Sequence, residues 1–542
     1  MFAKTNSFFA KYETWLVGLL ALVFVLVNMQ GLHWGIPGYW NVDEVVRFAD
    51  DALEENGAPE FDQTDDLTYP SLPKYVLYGL GKFVYGLGYP YERFRWAARM
   101  LSVLLGAAVV FLVYKITRAA SGKPVTALVS SLLAMTFAQL SLDSHFAHND
   151  IYVTFFNLLS IYLLLRYHKS ASRLVLYAAF FTVGLAASCK YTGGALLLAV
   201  LLVYLLKERQ ALFKEKLQTI ETLFISGLLS FLGFALGTPR ALFWMAFYFK
   251  RIPHTLYLLS NYNRTESSVI GFIQQWGGLQ SILGLPVFLL VISCLAASFI
   301  FLLAPLFKKF VKLPKLPAGT AIILIVVITL DIPMMISYII LPRYFLAFAL
   351  MLFVLASLVI ELVLSSLRQP GAHFASIAVG VAVGLTILVS APRIASVILL
   401  FENDARYQAG EYLKTLPVGA SIEYTIYPPI IPPDHFYEYS YPIDIIKFAD
   451  EVVTDSRYNL GEAGLMTRHP DYLIVDSFTY DRFQNAEICA WNQVECDFFT
   501  RLLAEQTNYT LIATFTYTLP DYLPNINMSF LNPEIRVYQR SE

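Results

Sequence analysis

Bilayer-length apolar segments recur through residues 15–400 of this chain, and that recurrence leaves few folds open. A helix rises 1.5 Å per residue, so about 20 apolar residues cross a hydrocarbon core. Trp15–Leu32 is the first such segment. By length and apolarity we read about eleven spans. After the first they fall near Ala97–Thr117, Val125–Phe137, Ile151–Leu165, Leu174–Ser188, Thr192–Leu206, Ile220–Leu236, Ser281–Leu306, Ala318–Ile340, Phe345–Leu364 and Ile377–Leu400. Ser71–Gly86 is also apolar, but Pro70, Pro73, Lys74 and Gly79 suit an interfacial helix better than a span. Charged residues make up 15% of the chain, against about 25% in soluble domains. The net charge of −2 gives no reason to expect a nucleic-acid partner, which wants a basic stripe. The expected class is a polytopic α-helical membrane protein, with residues 1–400 as its membrane domain.

The loops suggest an orientation. Lys4 and Lys11, Arg118 and Lys123, Arg166 with Lys169 and Arg173, Lys207–Lys216, Lys308–Lys315 and Arg368 fall on one side of the odd-numbered set of spans. The positive-inside rule makes that side cytoplasmic. The first loop, residues 33–96, then lies outside the cytoplasm, with Ala138–Asp150, Cys189–Tyr191, Thr238–Gln280, Pro342–Tyr344 and the tail from Phe401. The first segment reads as a retained signal anchor, its apolar core being too long for a cleaved signal. Residues 401–542 are rich in Tyr, Asp, Glu and Pro and hold no span-length run. A helical spacing in Asp404–Leu416 and short apolar runs at Tyr472–Val475, Thr510–Phe515 and Ile535–Tyr538 predict an extracytoplasmic α/β domain. Cys489 and Cys496 fall there, and both a disulfide and two free thiols are open. Sequons at Asn263, Asn508 and Asn527 matter only in a host that glycosylates them.

The polar residues on the outer face carry the chemistry. Asp43–Glu44 opens the first loop, and Asp43 and Arg47 are spaced for an ion pair on one helical face. The bland alternative is that Asn41 and Asp43 cap the helix beginning near Val45. Arg99, Lys190, Arg240 and Arg343 lie on the side where few cations are expected, and a charge at that depth needs a partner. His145, His148 and Asp150 precede another span; Asp43, His148 and Asp150 make a divalent metal conceivable, although such a loop pattern is weak evidence. An acidic base with several cations suits a reaction whose leaving group is a lipid phosphate.

In these features the chain resembles the GT-C superfamily of glycosyltransferases that use polyprenyl-phosphate-sugar donors, in its protein O-mannosyltransferase and aminoarabinose-transferase branch. The resemblance covers residues 15–400. It rests on Asp43–Glu44, the stretch Tyr69-Pro70-Ser71-Leu72-Pro73-Lys74-Tyr75, Arg99-Met100-Leu101-Ser102, His148-Asn149-Asp150, Lys190-Tyr191-Thr192 and Arg343-Tyr344. It implies that Asp43 is the general base, with Glu44 and Asp150 as further catalytic carboxylates. Lys190, Arg343 and Arg99 would neutralise the departing phosphate, and Arg47, Tyr69, His148 and Tyr344 would orient the acceptor. It names no cofactor as certain and leaves a divalent ion open. The expected partners are a polyprenyl-phosphate-linked sugar, membrane lipid and an unspecified acceptor, at a prokaryotic plasma membrane. The chain departs from the pattern at Val46, where members often carry a basic residue, and at Pro70-Ser71-Leu72-Pro73 in place of Pro-Pro-Leu-Tyr. A flippase of lipid-linked sugar, an oligosaccharide polymerase or ligase, and a non-catalytic assembly protein are the rival classes.

Overall fold

The computed structural model describes residues 2–54, 61, 70–210, 214–261, 269–307, 314–338, 340–366, 373–438, 462–526 and 528–541. The chain forms two compact units, Met1–Leu32 with Asp43–Ile394, and His33–Val42 with Ala395–Glu542.

The first unit is helical, as the apolar runs require. Its elements are α1 (Phe2–Asn28), α2 (Val46–Glu54), α3 (Leu72–Gly86), α4 (Tyr91–Ser121), α5 (Pro124–Met135), α6 (Ala138–His145), α7 (Asn149–Ser170), α8 (Arg173–Cys189) and α9 (Leu196–Lys207). They continue with α10 (Lys216–Gly237), α11 (Met245–Asn261), α12 (Gly271–Leu283), α13 (Leu285–Leu303), α14 (Ala318–Ile336), α15 (Leu346–Ser366) and α16 (His373–Ser390). Each expected span overlaps a helix, and among the described residues seven helices have the length and apolarity to cross a membrane. An eighth appears if α5 and α6, bent by 59°, count as one span. The difference from about eleven has a physical origin. Helix α8 and the run Tyr191–Lys207 are apolar but short, and α7 is interrupted by Asp150, Asn157 and Arg166. The bend at α5–α6 also turns the expected Ala138–Asp150 loop into a buried helix.

Packing in this unit depends on apolar contact around α15, where nearly every residue from Leu346 to Val359 is buried. Helices α8 and α10 approach most closely. A Cβ on Gly184 would overlap Ser230 O, and one on Gly233 would overlap Phe181 O. Small residues at both crossing points allow backbone-to-backbone contact, which drives helix association in lipid. The short helix α3 begins with Pro73 in its first turn and buries Leu77, Gly81 and Val84 while exposing Val76 and Phe83, the division expected of an interfacial helix.

The second unit contains α17 (Ala405–Leu413), α18 (Glu462–Arg468), α19 (Ala486–Trp491), α20 (Gln493–Leu503) and a five-stranded sheet. Its strands are β1 (Ser421–Tyr424), β2 (Tyr437–Glu438), β3 (Tyr472–Asp476), β4 (Tyr509–Phe515) and β5 (Ile535–Arg540), in the order β2-β1-β3-β5-β4. The β2–β1–β3 pairs are parallel and the β3–β5–β4 pairs antiparallel. Every residue of β3 is buried, because the sheet is covered on both faces. Leu473 and Val475 meet Phe498, Phe499 and Leu502, while Tyr472 and Ile474 meet Ala409 and Leu413. Cys489 and Cys496 are joined as a disulfide beside the first of these clusters. Residues 33–42, expected within the first loop, group with this unit because Trp34 packs on Phe401 and Trp40 on Tyr407.

Replacing Gly184 with Leu must force α8 and α10 apart. Overpacking of this kind costs about 1–3 kcal/mol, so Gly184→Leu is expected to lower the thermal midpoint of the detergent-purified protein, with Gly227→Leu as the neutral control. Gly227 is on α10, with open space where its Cβ would stand.

Candidate active site

The first loop meets the membrane helices through carboxylates that each have a cation. Glu44 is 1% exposed and Arg99 2%. Arg99 Nε donates to Glu44 Oε1 at 2.9 Å and Nη2 donates to Oε2 at 2.8 Å, a bidentate fork. Arg99 Nη1 also donates to Leu32 O, at 3.1 Å. Glu44 Oε1 accepts the Ala147 N–H at 2.9 Å, and Val45 N donates to Ala147 O at 3.0 Å. These bonds tie Glu44 and Val45, which follow Asp43, to the chain just ahead of Asp150. Further out, Asp50 accepts from Arg95 Nε at 3.1 Å and Tyr85 Oη at 3.0 Å.

Next to this brace lies an alternating chain of charge. Arg343 Nη1 donates to Asp43 Oδ2 at 2.8 Å, and Arg343 Nε is 3.8 Å from Asp150 Oδ2. Lys190 Nζ donates to Asp150 Oδ1 at 2.6 Å, and His148 Nδ1 lies 2.7 Å from Asp150 Oδ2. Local structure puts each group there. His148 is the N-cap of α7, which sets Asp150 in the first turn, where the helix dipole favours a carboxylate. Lys190 is the C-cap of α8 in extended conformation, and Arg343 sits in the short 3₁₀ turn Pro342–Phe345 that enters α15. The Lys190 ammonium lies 4.2 Å from the centre of the Tyr344 ring.

Asp43 is the accessible carboxylate of this group. Its side chain is 28% exposed, against 4% for Asp150 and 1% for Glu44. Burial raises its pKa, but Arg343 and His148 more than offset that and hold it below the ordinary carboxylate range. The group is therefore ionised at neutral pH and able to accept a proton.

Several sequence expectations are placed differently by the structure. Arg99 was expected at the phosphate, but its fork is occupied by Glu44. Glu44 likewise braces the loop. Arg47 was spaced for an ion pair with Asp43; instead Asp43 bonds Arg343, and the exposed Arg47 guanidinium lies 5.0 Å from the Phe48 ring centre. Tyr69 falls outside the described residues. His145 is buried between the carbonyls of Ser141 and Gln30. Arg240 lies over Trp244. The optional metal set of Asp43, His148 and Asp150 does not fit an ion, because Arg343 and Lys190 already place positive charge between its oxygens. Among the described residues no group of three or more His, Cys, Asp or Glu side chains has a metal-holding arrangement.

Asp143 escaped the sequence reading. It is buried on α6, accepts from Gln139 Nε2 at 3.1 Å, and lies within electrostatic reach of Asp150, Lys190 and Arg343. The signal was a lone acidic residue seven positions before Asp150, in a stretch that reads as a loop.

Removing Arg343 leaves Asp43 with its burial and one fewer compensating charge. A carboxylate whose pKa is depressed loses its ionised form only as pH falls through that low value, so the acid limb belongs well below neutrality. In Arg343→Gln it is expected to move up by about one unit, equivalent to about 1.4 kcal/mol, in the pH profile of kcat/KM. An unmoved limb excludes Asp43 as the titrating base.

Comparisons with known proteins bear on the fold and on one segment of the sequence. Residues 79–263 match the sequence model of the dolichyl-phosphate-mannose-protein mannosyltransferase family. No curated protein matches the chain. Among solved structures, ArnT from Cupriavidus metallidurans bound to undecaprenyl phosphate aligns over 97% of each chain, at 14% identity and a TM-score of 0.51. Its apo form aligns over 97% of this chain and 98% of its own, at 16% identity and a TM-score of 0.50. The Archaeoglobus fulgidus oligosaccharyltransferase tethered to an acceptor peptide covers 96% of this chain and 75% of its own, at 13% identity and a TM-score of 0.51. The solved structures share the fold of this chain, and residues 79–263 carry the sequence pattern of that family.

Proposed function

We propose that the protein transfers a sugar from a polyprenyl-phosphate carrier to an acceptor hydroxyl with inversion, at the extracytoplasmic face of a prokaryotic plasma membrane. One observation carries the reading: an accessible, ionised Asp43 stands at the end of the chain Asp43–Arg343–Asp150–Lys190. Asp43 accepts the hydroxyl proton as the acceptor oxygen attacks the anomeric carbon. The carbon–oxygen bond to phosphate breaks, and its electron pair leaves on the phosphate. A single displacement inverts the anomeric centre. Lys190 and Arg343 meet the departing phosphate, so positive charge stands where negative charge develops. Asp150 holds both cations in place, and Tyr344 limits the motion of Lys190. His148 orients Asp150 rather than the acceptor. Glu44 and Arg99 contribute by bracing the loop, and exposed Arg47 is available to the acceptor side. The solved ArnT complex with undecaprenyl phosphate supports this donor class. The basic loops on the opposite side of the spans support the orientation.

The test is transfer from a panel of polyprenyl-phosphate sugars by the purified protein in lipid. Asp43→Asn is expected to lose about 10²–10⁴-fold in turnover while retaining donor binding. Lys190→Ala is expected to weaken donor binding as well. Equal turnover in wild type and Asp43→Asn removes the base, and donor binding without transfer to any acceptor turns the assignment toward a flippase.

A further inference from the structure

Asp331 is a carboxyl group inside the membrane domain with no cation beside it. It stands on α14, one of the helices with the length and apolarity of a span, and is 9% exposed. Asp43, Glu44, Asp50 and Asp150 each meet a guanidinium or an ammonium. Among the described residues Asp331 has no ion pair, and its Oδ1 is buried without a hydrogen-bond partner. The polar group that acts on it is the amide of Gln275, on α12 and 1% exposed. Gln275 Oε1 is likewise buried without a partner.

The two side chains meet because α12 and α14 are in backbone contact. Gly271 N donates to Ser337 O at 2.8 Å, and a Cβ on Gly271 would overlap Met334 O. Gln275 is one turn beyond Gly271 and Asp331 one turn before Met334, so the same crossing brings them to one seam. Pro333 adds to this stretch, since it has no N–H for the carbonyl of Thr329, four residues earlier. The seam thus presents acceptor oxygens in excess of donors. It also lies near the Arg343 turn: the Phe345 ring is 3.1 Å from where a Cβ on Gly278 would stand, and Gly278 is one turn beyond Gln275.

A carboxyl group in a span is costly, and such residues mark paths for substrates or ions. An acceptor-rich seam selects a ligand that donates hydrogen bonds. The carboxyl keeps an acceptor oxygen in either protonation state, and the amide adds a second acceptor and a donor. Of the three parts of a polyprenyl-phosphate sugar, the sugar is the one that carries a set of hydroxyl donors. We infer that Asp331 and Gln275 form a subsite for hydroxyl groups of the transferred sugar and so set which sugar the protein accepts. The inference rests on the reading of the protein as a transferase that uses such a donor.

The test uses the full-length protein in lipid, with Asp331→Leu and Gln275→Met. Its probes are polyprenyl phosphate without sugar, a set of polyprenyl-phosphate hexoses and pentoses, and monodeoxy forms of the sugar that wild type transfers fastest. Asp331→Leu removes an unpaired polar group from a span, so its thermal midpoint is expected not to fall. Its kcat/KM for the full sugar is expected to fall about tenfold or more, with affinity for the sugar-free carrier unchanged. Wild type is expected to lose as much on one monodeoxy form, and the variant to transfer that form no worse than the full sugar. Gln275→Met carries the same expectations for transfer and decides the matter if Asp331→Leu does not fold. Wild-type kcat/KM in both variants overturns the inference, and so does undiminished discrimination among the deoxy forms. Weakened binding of the sugar-free carrier overturns it as well. Transfer that requires sodium in wild type but not in Asp331→Leu assigns the seam to a cation instead. If wild type transfers sugar from no donor, the transferase reading itself fails and the subsite falls with it.

Discussion

A carboxylate at the edge of a hydrocarbon layer persists as an anion only beside a cation, and the first unit is organised by that requirement. Stripping a charge of water costs several kcal/mol, which a single well-formed pair with further hydrogen bonds can offset. Glu44 meets it with the Arg99 fork and the Ala147 N–H, and Asp50 with Arg95 and Tyr85. Asp150 meets it with Lys190 and His148. These committed pairs fix the loop and the helix ends. Of these four carboxylates Asp43 is the exposed one, at 28% of its side chain, and this sets it apart from the three that are buried.

The helices were legible because apolarity over bilayer length has one solution. Residues around Leu346–Val359 are apolar on every side, and they form the buried centre of the first unit. The bend between Met135 and Ala138 was not legible. Ser141, Asp143, Ser144 and His145 look like loop residues until helices around them supply partners such as Asn28, Gln139 and Gln30. In the tail, β3, β4 and β5 were visible as β-branched and aromatic runs. The Ser421–Tyr424 strand was too short to stand out and is defined by its pairing with β3. The place of Trp34 was invisible for another reason: its partner Asp404 lies 370 positions further along the chain.

The site was legible in its members more than in its pairings. Asp43, Asp150, Lys190 and Arg343 stood out as charges where charge is costly, and they do come together. Which cation serves which anion was hidden. Asp43 and Arg47 are close in sequence, yet Asp43 bonds a guanidinium 300 positions away. Arg99 looked like a phosphate ligand because its depth demanded a partner; the partner is Glu44, next to the proposed base.

The Asp43–Arg343 bond also gives the proposed reaction an order. Before donor binds, Arg343 shares its charge between Asp43 and Asp150, and Asp43 is a weak base because its anion is well stabilised. A donor phosphate carries negative charge to the same guanidinium and competes for it. As Arg343 turns toward the phosphate, burial of Asp43 is less fully compensated and its proton affinity rises. In the proposed reaction the base would thus strengthen when the leaving group is in place, and an acceptor hydroxyl arriving first would meet a carboxylate poorly disposed to take its proton. Lys190, held to Asp150 and lying over Tyr344, would keep positive charge beside the phosphate while Arg343 turned. On that proposal the same ion pair that lets an exposed carboxylate survive beside the membrane would couple proton acceptance to the presence of the donor.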